Sequence, residues 1–141
     1  MSKPFSEEDR QKFLAGKHVA VVAAAADDGR PPVALPIWYG YEPGGNILIN
    51  TGAASRKARA WEKAGAVTVI VQQEEPPYQY VIVEGTIIDV AKPTPTDIRE
   101  AIAIRYLGEE DGKKFAAAMP GEGAALFTVR PDRWITADYS E

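Results

Sequence analysis

Apolar positions change their period several times along the chain, and each change marks an element. "SEEDRQKFLAG", residues 6 to 16, sets three acids after a capping serine and Phe13 and Leu14 before a closing glycine, predicting a short helix. "HVAVVAAAA" reads as a buried strand, and "DDGRPP" as the turn that ends it. "VALPIWYGYE" is a second extended run, in which Pro36 demands an edge position or a bulge. "PGGN" turns the chain into "NILINT", a third strand. "AVTVIVQQ" is β-branched and strand-like, and "EEPP" turns it back into "YQYVIVEGTIIDV", where Gly85 suggests a bulge or bend. Thr94, followed by Pro95 at the first helical position, opens a helix in which Ile98, Ala101, Ile102 and Tyr106 keep helical spacing as far as Gly108. A shorter helix runs from Glu109 until Pro120 stops it, and "AALFTVRPDRWITADY" returns to strand with an interruption near Pro131. Roughly six strands, mostly joined by tight turns, predict an antiparallel sheet that curls into a barrel, of mainly β or α+β class. The connections are too short for the crossovers of a doubly wound parallel sheet.

One helix breaks the electrostatic pattern of the others. "TGAASRKARAWEKAG", residues 51 to 65, has Ser55 as N-cap, Ala58, Ala60, Trp61 and Ala64 as helix-compatible positions, and Gly65 as the stop. Its first turn carries Arg56, Lys57 and Arg59, where the macrodipole is positive and the N–H groups are unpaired. Each misplaced cation costs roughly 0.3–1 kcal/mol at an exposed site. An anion bound at that point resolves the conflict, because amides, a hydroxyl and two cations together make a compact phosphate site. A solvated basic face balanced by nearby acids such as Glu62 is the alternative. Gly52 lets the preceding backbone bend close to a ligand.

Composition narrows the chemistry. The chain has 141 residues, 45% apolar and 26% charged, and is expected to form a single domain over 1–141. With no cysteine and one histidine, disulfides, thiolate chemistry and a histidine metal cluster are excluded, so no metal is expected. Net charge of −4 disfavours a nucleic-acid partner. No apolar run approaches a membrane span, and "MSKPFSEEDR" is too acidic and polar for a signal peptide, which points to the cytoplasm. Trp61 is read as a packing anchor and His18 as structural or solvated. Trp134 suits either the core or the cover of a substrate pocket. Nothing marks Glu84 as a general base, and no catalytic side chain is assigned.

The stretch "ILINTGAASRKARAWEKAGAVTVIV", followed by "YVIVEGTI", resembles the pyridoxamine 5′-phosphate oxidase-like split β-barrel superfamily, over roughly residues 8 to 137. The order of strands, the "DDGRP" turn and the "SRK" helix start agree with it. That superfamily includes FMN enzymes and the flavin/deazaflavin oxidoreductases that use coenzyme F420. The resemblance implies a homodimer with two cofactors at the subunit interface. It implies that Ser55, Arg56 and Lys57 hold the cofactor phosphate, with Thr51 and Arg59 beside them. Pro36, Ile37 and Trp38 then lie along the isoalloxazine-type ring, flanked by Ile49 and Asn50. Gln72, Tyr78 and Tyr80 come from the other half of the site, in the partner subunit. The "GGNILINT…SRKAR" segment favours the F420 branch, and Arg59 and Lys63 suit the anionic tail of that coenzyme; FMN is the alternative. The expected function is hydride transfer to a small conjugated organic substrate, with Trp38, Tyr80 and Trp134 as pocket walls. The family's pyridoxamine-phosphate oxidases carry a more basic substrate site and a longer segment after the stretch that matches "RWITADYSE", so vitamin B6 oxidation is not the expected activity. A non-catalytic flavin or haem binder is the rival of a different class.

Overall fold

A computed structural model describes residues 1–140. In chain order the elements are α1 (Glu7–Ala15), β1 (Ala20–Ala24), β2 (Val33–Ile37), β3 (Ile47–Gly52), α2 (Arg56–Ala64), β4 (Ala66–Gln73), β5 (Gln79–Ala91), α3 (Thr96–Leu107), α4 (Glu109–Ala118) and β6 (Ala124–Asp138). All strand pairs are antiparallel, and the sheet order is β2-β1-β4-β5-β6-β3. The two edge strands are therefore β2 and β3, which follow each other in sequence. Gly40, just beyond β2, exchanges two backbone hydrogen bonds of 2.8 and 2.9 Å with Leu48 of β3. The sheet thus curls until its edges touch at that point, and it stays split beyond it.

Pro36 occupies the edge strand, where its missing N–H costs no ladder bond. Gly85 sits at a register shift between β5 and β6, and a Cβ there would stand 2.5 Å from Val129 Cγ1 and 2.8 Å from the Arg130 carbonyl oxygen. The close approach admits only glycine. Opposite it, Pro131 does not interrupt β6, which runs unbroken for 15 residues and accommodates the proline at this irregularity.

Alternation along the strands sends Val22, Val69, Val71, Val81, Val83 and Phe127 inward to a shared core. Helix α2 drives Trp61 into that interior, fully buried and edge-on to Phe127 at 5.3 Å between ring centroids. α3 and α4 form a hairpin between β5 and β6. Gly112 of α4 lies so close to α3 that a Cβ would meet the Ile104 backbone at 2.5 Å. Pro95 stands at the N-cap of α3 rather than at its first helical residue. Thr94 before it is buried and donates its hydroxyl to Asn50 Oδ1. No helix among the described residues is long and apolar enough to cross a membrane.

Candidate functional site

The N-terminus of α2 lies at the open end of the split. Gly52 ends β3, and Ser55 caps the helix with extended backbone angles (φ −72°, ψ 157°). Its Oγ accepts from the Ala58 amide at 3.2 Å and donates to the Gly52 carbonyl at 2.7 Å. The Arg56 and Lys57 amides meet no acceptor among the described residues. They open on a cleft of roughly 460 Å³ walled by Arg30, residues 31–35 and the Ser55, Arg56 and Lys57 side of the helix. Among the described residues, no carboxylate lines it. Cations, a hydroxyl and unpaired amides converging on one hollow can hold an anionic oxygen group.

Acids answer part of this charge from the other side. Arg56 donates through Nε and Nη2 to both oxygens of Asp28, at 2.9 and 3.2 Å. That pairing holds the Asp28 carboxyl at about 2. Lys63 pairs with Asp27 at 2.6 Å, and Arg59 donates to the Ala54 carbonyl. Glu62 does not balance the basic face, because it pairs with Lys92 at 2.7 Å. The balancing acids come instead from the turn between β1 and β2. Lys57 has no carboxylate partner among the described residues.

A second cavity, of roughly 480 Å³, lies on the far side of Gly52, beneath the α3–α4 hairpin. Continuing the Gly40–Leu48 register along the split sets Trp38 opposite Asn50, and both line this cavity with Thr51. Trp38 is clamped between the two helices, stacked on Tyr106 (4.8 Å, 7°) and tilted against Phe115 (5.5 Å). Tyr106 is itself fixed, since its hydroxyl accepts from the Tyr39 amide at 3.1 Å and donates to the His18 carbonyl at 2.6 Å. Arg99 enters from α3 and donates through Nη1 to the carbonyls of Ala116 and Met119, at 2.7 and 2.9 Å.

No family model matches the chain, and no curated protein does. Solved structures do. An F420 reductase is 21% identical and superposes with a TM-score of 0.71 over 89% of this chain and 94% of its own. An FAD-binding protein from Mesorhizobium loti is 17% identical, with a TM-score of 0.71 over 100% of this chain and 98% of its own. A pyridoxamine 5′-phosphate oxidase-like protein from Listeria innocua is 15% identical, with a TM-score of 0.69 over 92% and 96%. The fold is that of the pyridoxamine 5′-phosphate oxidase-like split barrels.

Within this split barrel the residues singled out from the sequence do not all come together. Ser55, Arg56 and Lys57 share the cation-lined cleft, while Arg59 faces a neighbouring hollow with Asp27 and Asp28. Trp38, Asn50 and Thr51 share the apolar cavity. Pro36 lies between the two on the exposed face of β2, and Ile37 turns toward the core. Ile49 is fully buried, so its side chain reaches no cavity. Gln72, Tyr78 and Tyr80 lie on β4, β5 and the turn between them, away from both hollows of the chain.

The expected pocket walls need correction. Of Trp38, Tyr80 and Trp134, only Trp38 lines the second cavity. Trp134 packs against the core with the Arg10 guanidinium 4.3 Å over its ring. His18 is stacked on Phe13 at 4.4 Å, and burial holds its pKa below the ordinary histidine value. Sequence reasoning missed Arg99, Phe115 and Met119. A signal for the first exists: Arg99, Ile102, Ala103 and Tyr106 recur at i, i+3, i+4 and i+7, a buried helical face that opens with a cation.

Proposed function

We propose that this protein is an oxidoreductase that holds a phosphorylated flavin-type cofactor along the β2–β3 split, with coenzyme F420 preferred and FMN as the alternative. The observation that carries the reading is the α2 N-terminus, whose unpaired amides and Lys57 open on a cleft with no carboxylate among its described lining residues. The group fits that donor set: Lys57 and the first amides of α2 would take the phosphate, and Ser55 would fix the turn that aims them. Arg56 would reach the same anion by sharing or leaving Asp28. Pro36, Ile37 and Trp38 would lie along the ring, with Asn50 oriented by Thr94. When bound, such a cofactor supplies hydride transfer, and the protein supplies position, electrostatics and exclusion of water. The similarity in fold to an F420 reductase and to an FAD-binding protein supports the same reading. One observation favours FMN: Lys63 and Arg59, which would serve the longer anionic tail of F420, are engaged by Asp27 and the Ala54 carbonyl.

The reading includes a homodimer in the cytoplasm. Pro36, Val21, Ile70, Ile82 and Ile135 stand side by side, in register, on the outer face of β2, β1, β4, β5 and β6. All five are at least partly exposed, and an apolar row of this length asks for cover. A second copy laid on it would carry its Gln72, Tyr78 and Tyr80 toward the split. Titration with F420 and FMN side by side, followed by cofactor fluorescence, tests the cofactor; binding of neither overturns the proposal. Light scattering on the wild type and on Ile82→Lys tests assembly, with a dimer expected for the first and a monomer for the second. Oxidation of the reduced, bound cofactor by quinones or enones, measured by stopped flow, separates an enzyme from a passive binder.

A further inference from the structure

Among the described residues, the apolar cavity beneath α3 and α4 holds a single charged side chain, Arg99, and no carboxylate to answer it. Its guanidinium is half used. Nη1 is spent on the last carbonyls around the end of α4, which fixes the plane of the group. Nε is enclosed without any acceptor, and Nη2 has none among the described residues. Those two nitrogens form one edge of the fork, the edge that binds a carboxylate bidentately. Arg56 uses the same edge on Asp28 in this very molecule.

The two other arginines with an enclosed, unpartnered Nε lack this combination. Arg105 spends both Nη atoms on the carbonyls of Leu14, Ala15 and Gly16 at the end of α1, and the hollow it borders contains Glu42 and Asp97. Arg10 is stacked over Trp134 and lines none of the larger hollows. Around Arg99 the walls are instead flat or aliphatic. Trp38 and Phe115 offer aromatic surface, Ile102, Ala103 and Met119 complete it, and Gly121 lies against the guanidinium, where a Cβ would stand 3.2 Å from Nη2.

We propose that this cavity binds a planar, mostly apolar molecule carrying one carboxylate, with Arg99 as the anchor of that carboxylate. As a substrate assignment this rests on the oxidoreductase reading above; as a binding site it does not. It replaces the neutral quinone or enone by a conjugated acid of similar shape. Trp38 belongs to both sites, so the conjugated part of the ligand would lie on the side toward the split.

The test compares trans-cinnamate with trans-cinnamamide, which match in shape and differ in charge. Binding is followed in ¹⁵N–¹H correlation spectra through the Arg99 Nε–H and Trp38 indole signals. Cinnamate is expected to shift both signals and to bind about tenfold more tightly than the amide, the effect of one charge-assisted contact. Arg99→Gln should bring cinnamate down to the level of cinnamamide and leave cinnamamide unchanged. Loss of both ligands in Arg99→Gln, with equal binding in the wild type, would mean that the arginine only caps α4, and the proposal falls. If the variant does not fold, the comparison in the wild type decides alone: equal affinities overturn the proposal. Each titration is run without cofactor and with FMN or F420 in excess. Carboxylate selectivity without cofactor binding keeps the site and removes the oxidoreductase reading, and the opposite result does the reverse.

Discussion

α1 and α2 begin alike and are charged oppositely. Each is nine residues long, and each is capped by a serine in extended conformation whose Oγ accepts from the amide three residues on, at 3.1 Å for Ser6 and 3.2 Å for Ser55. After Ser6 come Glu7, Glu8 and Asp9; after Ser55 the first turn holds no acid at all. Capping is therefore the same in both, and the charge of α2 is not something the helix needs in order to start. In α1 sequence and dipole agree. In α2 the disagreement is contained by a remote turn, which supplies Asp27 and Asp28, and Lys57 is left over. A residue that opposes the stability of its own helix and faces a cleft is best explained by what enters the cleft.

Replacing Lys57 breaks this comparison most sharply. Lys57→Ala should weaken binding of F420 or FMN on the order of ten- to a hundredfold, the loss of a charge-assisted contact to phosphate. The protein without cofactor should melt at the same temperature or slightly higher, because a cation leaves the positive end of the dipole. Fluorescence titration and calorimetry read the two effects separately. Wild-type affinity in the variant would remove the phosphate from this cleft.

The serines come next in size. Ser6→Ala and Ser55→Ala should each destabilise the protein by about 1 kcal/mol in urea unfolding, the usual cost of an N-cap. Ser55→Ala should cost more, since its hydroxyl also holds the Gly52 carbonyl that shapes the turn out of β3. Only Ser55→Ala should change cofactor affinity. Equal effects on binding from both serines would mean that binding follows global stability and not the α2 turn.

What the sequence allowed one to read follows the range of each interaction. The α2 cap and its glycine stop, the edge position of Pro36 and the irregularity at Gly85 depend on a few neighbouring residues, and all are present in the fold. The partners of α2 are long-range. Arg56 and Asp28 stand 28 residues apart, and nothing in "DDGRPP" distinguishes an ordinary turn from one that folds back on a helix. For Trp134 the sequence left core and pocket cover both open, and the structure takes the core. Register shifts between Glu84 and Gly85, and between Ile87 and Asp89, change which residues of β5 and β6 face each other, so alternation counted from one end misplaces the other. Arg99 depends on the end of α4 reaching back across α3, a contact spanning 17 to 20 residues.

The smallest effect concerns the one cation of α2 that is both in the cleft and already paired. Asp28, held at about 2 by Arg56, has a folded-state pKa below its ordinary value of 3.8. Its contribution to stability is therefore complete above the ordinary value and is lost as the pH falls from there through about 2. Asp28→Asn should be slightly less stable than the wild type at neutral pH, with the difference vanishing at the acid end of that window; Asp28 is exposed and Arg56 partly so, and the effect is small. In the same variant Arg56 loses its fixed partner and is free to turn into the cleft beside Lys57. Cofactor affinity should then rise by a few-fold while stability falls, a trade that a purely structural ion pair would not make. A fall in both stability and affinity in Asp28→Asn would mean that Arg56 serves the turn alone, leaving Lys57 and the α2 amides as the whole of the anion site.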